Sequence, residues 1–215
     1  MSPAAAGEPL GAVALAGVVT RVARPAGASG TRVLAVDGRS GAGKTTLATA
    51  LAASLGGGGA AAPVVSLEDA YPGWDGLDAA VPLLVGGVLE PLAGGAAAEL
   101  PGWDWARGVP TPPRPVLPSG APQGPPPWVV VEGVGVGARV CAPHLAVLLW
   151  LEVAADVRHE RAMARDGDLY RPHWRRWAAQ EDRHLDRERT PHRADLVLGQ
   201  GRAPETWSIL RVGPG

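Results

Sequence analysis

Apolar runs punctuated by glycine- and proline-rich turns set the pattern of this chain. "TRVLAVD" (31–37) is a continuous apolar run ending at a glycine-rich turn, which predicts a strand buried on both faces. "PVVSL" (63–67), "WVVVE" (128–132) and "LAVLLWLE" (145–152) read the same way, and "ADLVL" (194–198) and "TWSILRV" (206–212) predict late strands. Helical spacing appears between them. Residues 9–24 predict an N-terminal helix, Lys44 to Leu55 a second one closed by "GGGG", and 156–166 a third. Val81, Leu84, Val85, Val88, Leu89 and Leu92 recur on one face and predict a helix over 78–92 with Pro82 in its first turn. The arginine-rich stretch from 168 to 190 extends the 156–166 helix into a helical region over 156–190. Residues 106–127, from "RGVPTPPRP" to "GAPQGPPP", predict a surface loop without a core of its own.

Strands alternating with helices define an α/β class with a mostly parallel sheet and helices on both faces. At 215 residues, 46% hydrophobic and 19% charged, the expectation is one globular domain over 1–215. A net charge of -1 gives no general attraction to nucleic acid or to a membrane surface. The single cysteine, Cys141, allows no internal disulfide framework and fits a reducing cytoplasm. The apolar stretch "LGAVALAGVV" is too short to span a bilayer and has no basic flank, so a docking helix is expected.

Composition becomes informative at one residue. Every cation in the Lys+Arg total of 20 is arginine except Lys44. It lies in "VDGRSGAGKTTLA", where Gly38, Gly43, Lys44 and Thr45 spell the P-loop pattern G-x-x-x-x-G-K-[ST] between a predicted strand and a predicted helix. A compact ammonium fits a loop wrapped around phosphates; a planar guanidinium does not. Gly38, Arg39, Ser40, Gly41, Ala42, Gly43, Lys44, Thr45 and Thr46 are therefore expected to cradle the phosphates of ATP. The helix N-terminus adds its dipole, and Thr45 adds a hydroxyl for Mg2+. Glu132, at the end of an apolar strand, is expected to hold the same Mg2+.

In open α/β sheets ligands bind beyond the carboxyl ends of the strands. "SLEDAYPGWDGLD" follows the strand over 63–67, and Asp69 there is expected to orient an attacking hydroxyl, with Glu68 and Asp75 as rivals. Tyr71 and Trp74 are candidates for an acceptor pocket. Among the arginines, Arg161 and Arg165 lie one helical turn apart and are expected to close over the transferring phosphoryl group. Most other arginines are interleaved with acids, as on a solvated helix face, and this argues against nucleic acid as a partner. Without asparagine or a second lysine, the N-K-x-D motif of guanine-specific switch GTPases is absent. His159, His173, His184 and His192 have no zinc spacing, and Ser40 has no evident histidine partner.

Taken in order over residues 31–170, these segments resemble the uridine kinase branch of the nucleoside-kinase-like P-loop proteins. "VDGRSGAGKTT" is similar to that family's opening motif, and "VVVEGV" to the segment carrying its strand-end glutamate. "SLEDAY" resembles its acid-plus-aromatic segment, "LEVAADVRHERAMARD" its lid entry, and "LPGWDW" a "YDF" segment that contacts the nucleoside. The resemblance implies the P-loop NTPase-type three-layer fold with an arginine-rich lid. It implies Asp69 as catalytic base and Trp103 and Asp104 as substrate contacts. Gly108 stands near the place of a histidine that helps bind the base in uridine kinases. The expectation is a cytoplasmic ATP- and Mg2+-dependent kinase of a nucleoside-like alcohol. Two alternatives stay open: a regulatory nucleotide-binding protein with little turnover, and a kinase of another alcohol such as a pantothenate-like compound. The oligomeric state is not fixed by the sequence.

Overall fold

The computed structural model describes residues 9–117, 126–200 and 205–213. Among these residues seven strands form one sheet in the order β1-β9-β8-β7-β2-β6-β3, and two more, β4 (Glu99–Asp104) and β5 (Val109–Pro115), form a separate hairpin. The central strands are β2 (Arg32–Asp37), β6 (Trp128–Glu132) and β7 (Val147–Glu152), with β3 (Val64–Ser66) at one edge. β2 runs parallel to both β6 and β7, and β3 runs parallel to β6. β8 (Leu196–Gln200) is parallel to β7, whereas β9 (Thr206–Val212) and β1 (Pro9–Gly11) close the far edge antiparallel.

The apolar runs are continuous because helices cover both faces of the sheet. Successive side chains alternate between two cores. Val33, Ala35, Val129, Val131, Leu148 and Trp150 pack on one side with Leu84, Leu89 and Trp177. Leu34, Val36, Val130, Leu149 and Leu151 pack on the other with Leu15, Leu47 and Leu51. The second core is covered by α1 (Ala12–Val22) and α2 (Lys44–Leu55). The first is covered by α3 (Leu77–Leu84), the short α4 (Glu90–Ala93) and α6 (Trp174–Glu188). Before α6 comes α5 (Ala155–Tyr170), kinked at Gly167, and after it a single turn, α7 (Thr190–Arg193). This is the expected three-layer arrangement.

Three local expectations need correction. The predicted N-terminal helix over 9–24 gives its first three residues to β1, because Leu10 finds a partner in Trp207 of β9. Pro82 is the sixth residue of α3, past the first turn, since the helix starts at Leu77. A π-helical stretch, Val85–Leu89, follows it. Such turns accommodate a disturbed hydrogen-bond ladder. Gly87 in that stretch lies against the Glu99 carbonyl, where a Cβ would collide.

The third correction concerns the proline-rich stretch over 106–127. Val109–Pro115 is strand β5, paired antiparallel with β4 (Glu99–Asp104). A proline lacks a ladder donor, and a two-stranded hairpin leaves each strand an unpaired side where that loss costs little. Residues 118–125 of that stretch lie outside the described residues.

Candidate functional site

The carboxyl ends of β2, β3 and β6 open onto one cavity of about 390 Å³. Ser40, Gly41, Gly43, Lys44, Thr45 and Thr46 form one wall. Glu68, Tyr71, Trp105, Gly133, Trp177, Arg161 and Arg165 form the others, with Glu132 between the two groups.

The loop after β2 turns on glycines that no other residue replaces without strain. Gly41 has φ +79° and its α-carbon faces the Arg158 carbonyl, so a Cβ would run into that backbone. Gly43 caps α2 at φ 92°. Lys44, the first residue of α2, sends Nζ back to donate to the Arg39 carbonyl at 3.2 Å. At the base of the loop the fully buried Asp37 accepts N–H bonds from Gly38 at 2.7 Å and Gly137 at 2.9 Å. Burial pushes its carboxyl up from the usual range in spite of those donors. Asp37 thus ties the loop after β2 to the glycine-rich loop after β6.

Glu132 ends β6 and is almost wholly buried. Its Oε1 accepts from Thr45 Oγ1 at 3.3 Å and from Ser66 Oγ at 2.7 Å. This carboxylate-and-hydroxyl set suits a hard cation that brings further oxygen ligands with it. Among the described residues no group of three or more His, Cys, Asp and Glu could hold a metal unaided.

Across the cavity stands Glu68, in a 3-10 turn spanning Leu67–Ala70. Leu67 and Ala70 pack inward, and this points the two intervening acids outward in different directions. Glu68 lies on the cavity wall with Arg165 Nη2 at 3.5 Å. Desolvation raises its carboxyl above the usual range, with Arg165 and Lys44 opposing. Asp69 does not line the cavity; it faces Arg114 of β5 at 3.9 Å on the exposed side. Asp75, the other rival, pairs with Arg176.

The remaining expected residues divide as follows. Tyr71 lines the cavity and is anchored by donating to the Val134 carbonyl at 2.9 Å. Arg161 lines it too and donates to Gln200. Trp74 stands behind the wall, stacked on His173 with ring centroids 4.2 Å apart. Asp104 is committed to the hairpin turn, accepting N–H bonds from Ala106 and Arg107, both at 3.0 Å. Trp103 packs beside Gly73, outside the cavity lining. Trp105, two residues on, is the hairpin aromatic that reaches the cavity.

Trp105 and Trp177, which line the cavity, and Glu181, which does not, are absent from the sequence expectations. The buried face of α6 runs Trp177, Gln180, Glu181, His184 and Leu185, a helical stripe. A carboxylate on that stripe was the available signal for Glu181. It is 1% exposed, and Oε1 accepts from the Ser40 N–H at 2.8 Å and from Trp177 Nε1 at 3.1 Å.

A glycine-rich loop of the P-loop pattern between a central parallel strand and a helix, on this sheet order, is the P-loop kinase fold. Among solved structures, the chain is similar to a possible uridine kinase from Bacillus stearothermophilus, at 22% identity and TM-score 0.60. That match covers 86% of this chain and 96% of the other. It is also similar to a protein described provisionally as a fructose transport system kinase from Silicibacter sp. TM1040, at 20% identity and TM-score 0.54. There the coverage is 86% of this chain and 95% of the other. No protein-family model matches the chain, and no curated protein does. Among the described residues no helix is long and apolar enough to cross a membrane.

Proposed function

We propose that this chain is an ATP-dependent kinase of a small alcohol, a nucleoside or a sugar. The observation that carries the reading is the cavity itself, with Lys44, Thr45 and Glu132 on one side and Glu68 and Arg165 on the other. In this reading the N–H groups of the loop and Lys44 hold the phosphates of ATP. Thr45 and Glu132 hold Mg2+, which neutralises charge on the phosphate oxygens when bound.

Glu68 accepts the proton of the acceptor hydroxyl as its oxygen bonds to the γ-phosphorus. The bond from that phosphorus to the β–γ bridging oxygen breaks, and ADP leaves. Desolvation raises the proton affinity of this carboxyl, and that favours proton acceptance. Glu68 thus takes the role expected of its neighbour Asp69, because Glu68 is the acid on the cavity wall. Arg161 and Arg165 supply charge to the transferring group. Tyr71, Trp105 and Trp177 offer faces for a flat base or for the apolar side of a sugar ring. Positioning of this kind is worth about 7–11 kcal/mol in well-oriented systems.

The test is ADP release from ATP and Mg2+ against a panel of nucleosides, small sugars including fructose, and pantothenate. Stimulation by uridine, cytidine or a sugar supports the reading and names the acceptor. Tight ATP binding with no stimulation by any acceptor overturns it in favour of a regulatory nucleotide-binding role.

A further inference from the structure

The phosphate-binding loop is fastened from outside the cavity. Glu181 does not line the cavity, yet its Oε1 takes the Ser40 N–H at 2.8 Å. The Ser40 carbonyl on the same residue accepts from Arg158 Nη1 at 3.3 Å. The loop is therefore gripped at one residue by α6 through the N–H and by α5 through the carbonyl. Gly41 follows at once, pressed against the Arg158 backbone.

The oxygen that holds the loop also holds the opposite wall. Trp177 Nε1 donates to Glu181 Oε1 at 3.1 Å, and Trp177 lines the cavity beside Tyr71 with ring centroids 4.8 Å apart. Glu181 Oε2 faces Arg39 Nη1 at 3.7 Å, which balances the buried charge. A carboxylate suits this post because it accepts several N–H bonds and donates none.

We propose that Glu181 is a positioning residue that registers the phosphate-binding loop against the acceptor wall, an inference that rests on the kinase reading above. Glu181 touches neither substrate. It acts through Ser40 on the nucleotide side and through Trp177 on the acceptor side. Removing it strands two N–H donors and frees the loop from the helix that carries the wall.

The experiment is calorimetric titration of Mg·ATP into the wild-type chain, Glu181→Ala and Glu181→Gln, with thermal melting of each. Glu181→Ala is expected to weaken ATP binding at least tenfold while still melting cooperatively. Glu181→Gln, whose amide oxygen can accept both N–H bonds, is expected to recover most of that loss. A residue that only stabilised the fold would lower the melting temperature and leave the affinity of the folded protein alone. Where Glu181→Ala does not fold, Glu181→Asp replaces it, since the shorter side chain withdraws the carboxylate from Ser40 and keeps its charge. A loss of less than tenfold in that variant overturns the assignment and leaves the kinase reading standing. A wild-type chain that bound no ATP would overturn the kinase reading, and this inference with it.

Discussion

Thr45 and Glu132 meet on one side of the cavity, the threonine hydroxyl donating to the carboxylate at 3.3 Å. One residue lies in the first turn of the helix after the glycine-rich loop and the other ends the neighbouring strand, so parallel pairing of β2 with β6 brings them together. Glu132→Gln keeps the shape and removes the charge available to a cation. The Mg2+ concentration giving half-maximal turnover is expected to rise by about 10–100-fold, as for residues that orient or bind a metal. A Mg2+ titration at saturating ATP checks this; an unchanged midpoint would remove Glu132 from the cation site.

Lys44→Ala is expected to cost at least about 10²-fold in turnover, the size of effect seen when one donor to a developing charge is lost. Among the described residues its Nζ makes one hydrogen bond, to the Arg39 carbonyl, so the melting temperature should change little. Full turnover in the folded variant would contradict its role.

Gly41→Ala tests the loop by sterics. The residue has φ +79° and a Cβ would meet the Arg158 carbonyl. Left-handed strain alone costs about 1–3 kcal/mol, and the collision adds to it. Chemical denaturation should show a loss of at least that size, accompanied by weakened ATP binding. A variant as stable as the wild type would mean that the loop has another conformation.

Cys141 is buried and its thiol is pushed up to about 12, chiefly by desolvation. Its native thiol is therefore expected to resist thiol reagents at pH 8 and to react at once in denaturant. The sign for stability follows from the raised value. The unfolded thiol ionises near its ordinary 9 while the folded one stays neutral, so this contribution is complete below 9 and lost as pH climbs through 12. Fast labelling of the native chain at pH 8 would contradict this burial.

Much of the frame is visible in the chain before folding. The Lys44–Leu55 helix and the Trp128–Glu132 strand follow from local pattern alone, because each is bounded by glycine or proline and filled by one kind of periodicity. β1 and β5 are not visible locally. Pro9–Gly11 is a strand only because β9, almost 200 residues away, supplies its partner, and the prolines of β5 hide a strand whose pairing comes from β4. The choice of which acid, Glu68 or Asp69, lines the cavity was equally hidden. Two adjacent acids look alike in sequence, and only the burial of Leu67 and Ala70 turns one of them into the cavity. Glu181 sat among many charges, and its place on the buried stripe of α6 distinguishes it from its neighbours.

That choice offers the most direct test of phosphoryl transfer at this cavity. The measurement is acceptor-dependent ADP release by Glu68→Gln and Asp69→Asn, side by side, with ATP affinity measured for both. Glu68→Gln is expected to lose about 10²–10⁴-fold in turnover, the range for a general base, with ATP still bound. Asp69→Asn, whose carboxylate faces Arg114 on the exposed side, is expected to stay within about threefold of the wild type. A collapse in Asp69→Asn with Glu68→Gln active would contradict the proposed chemistry.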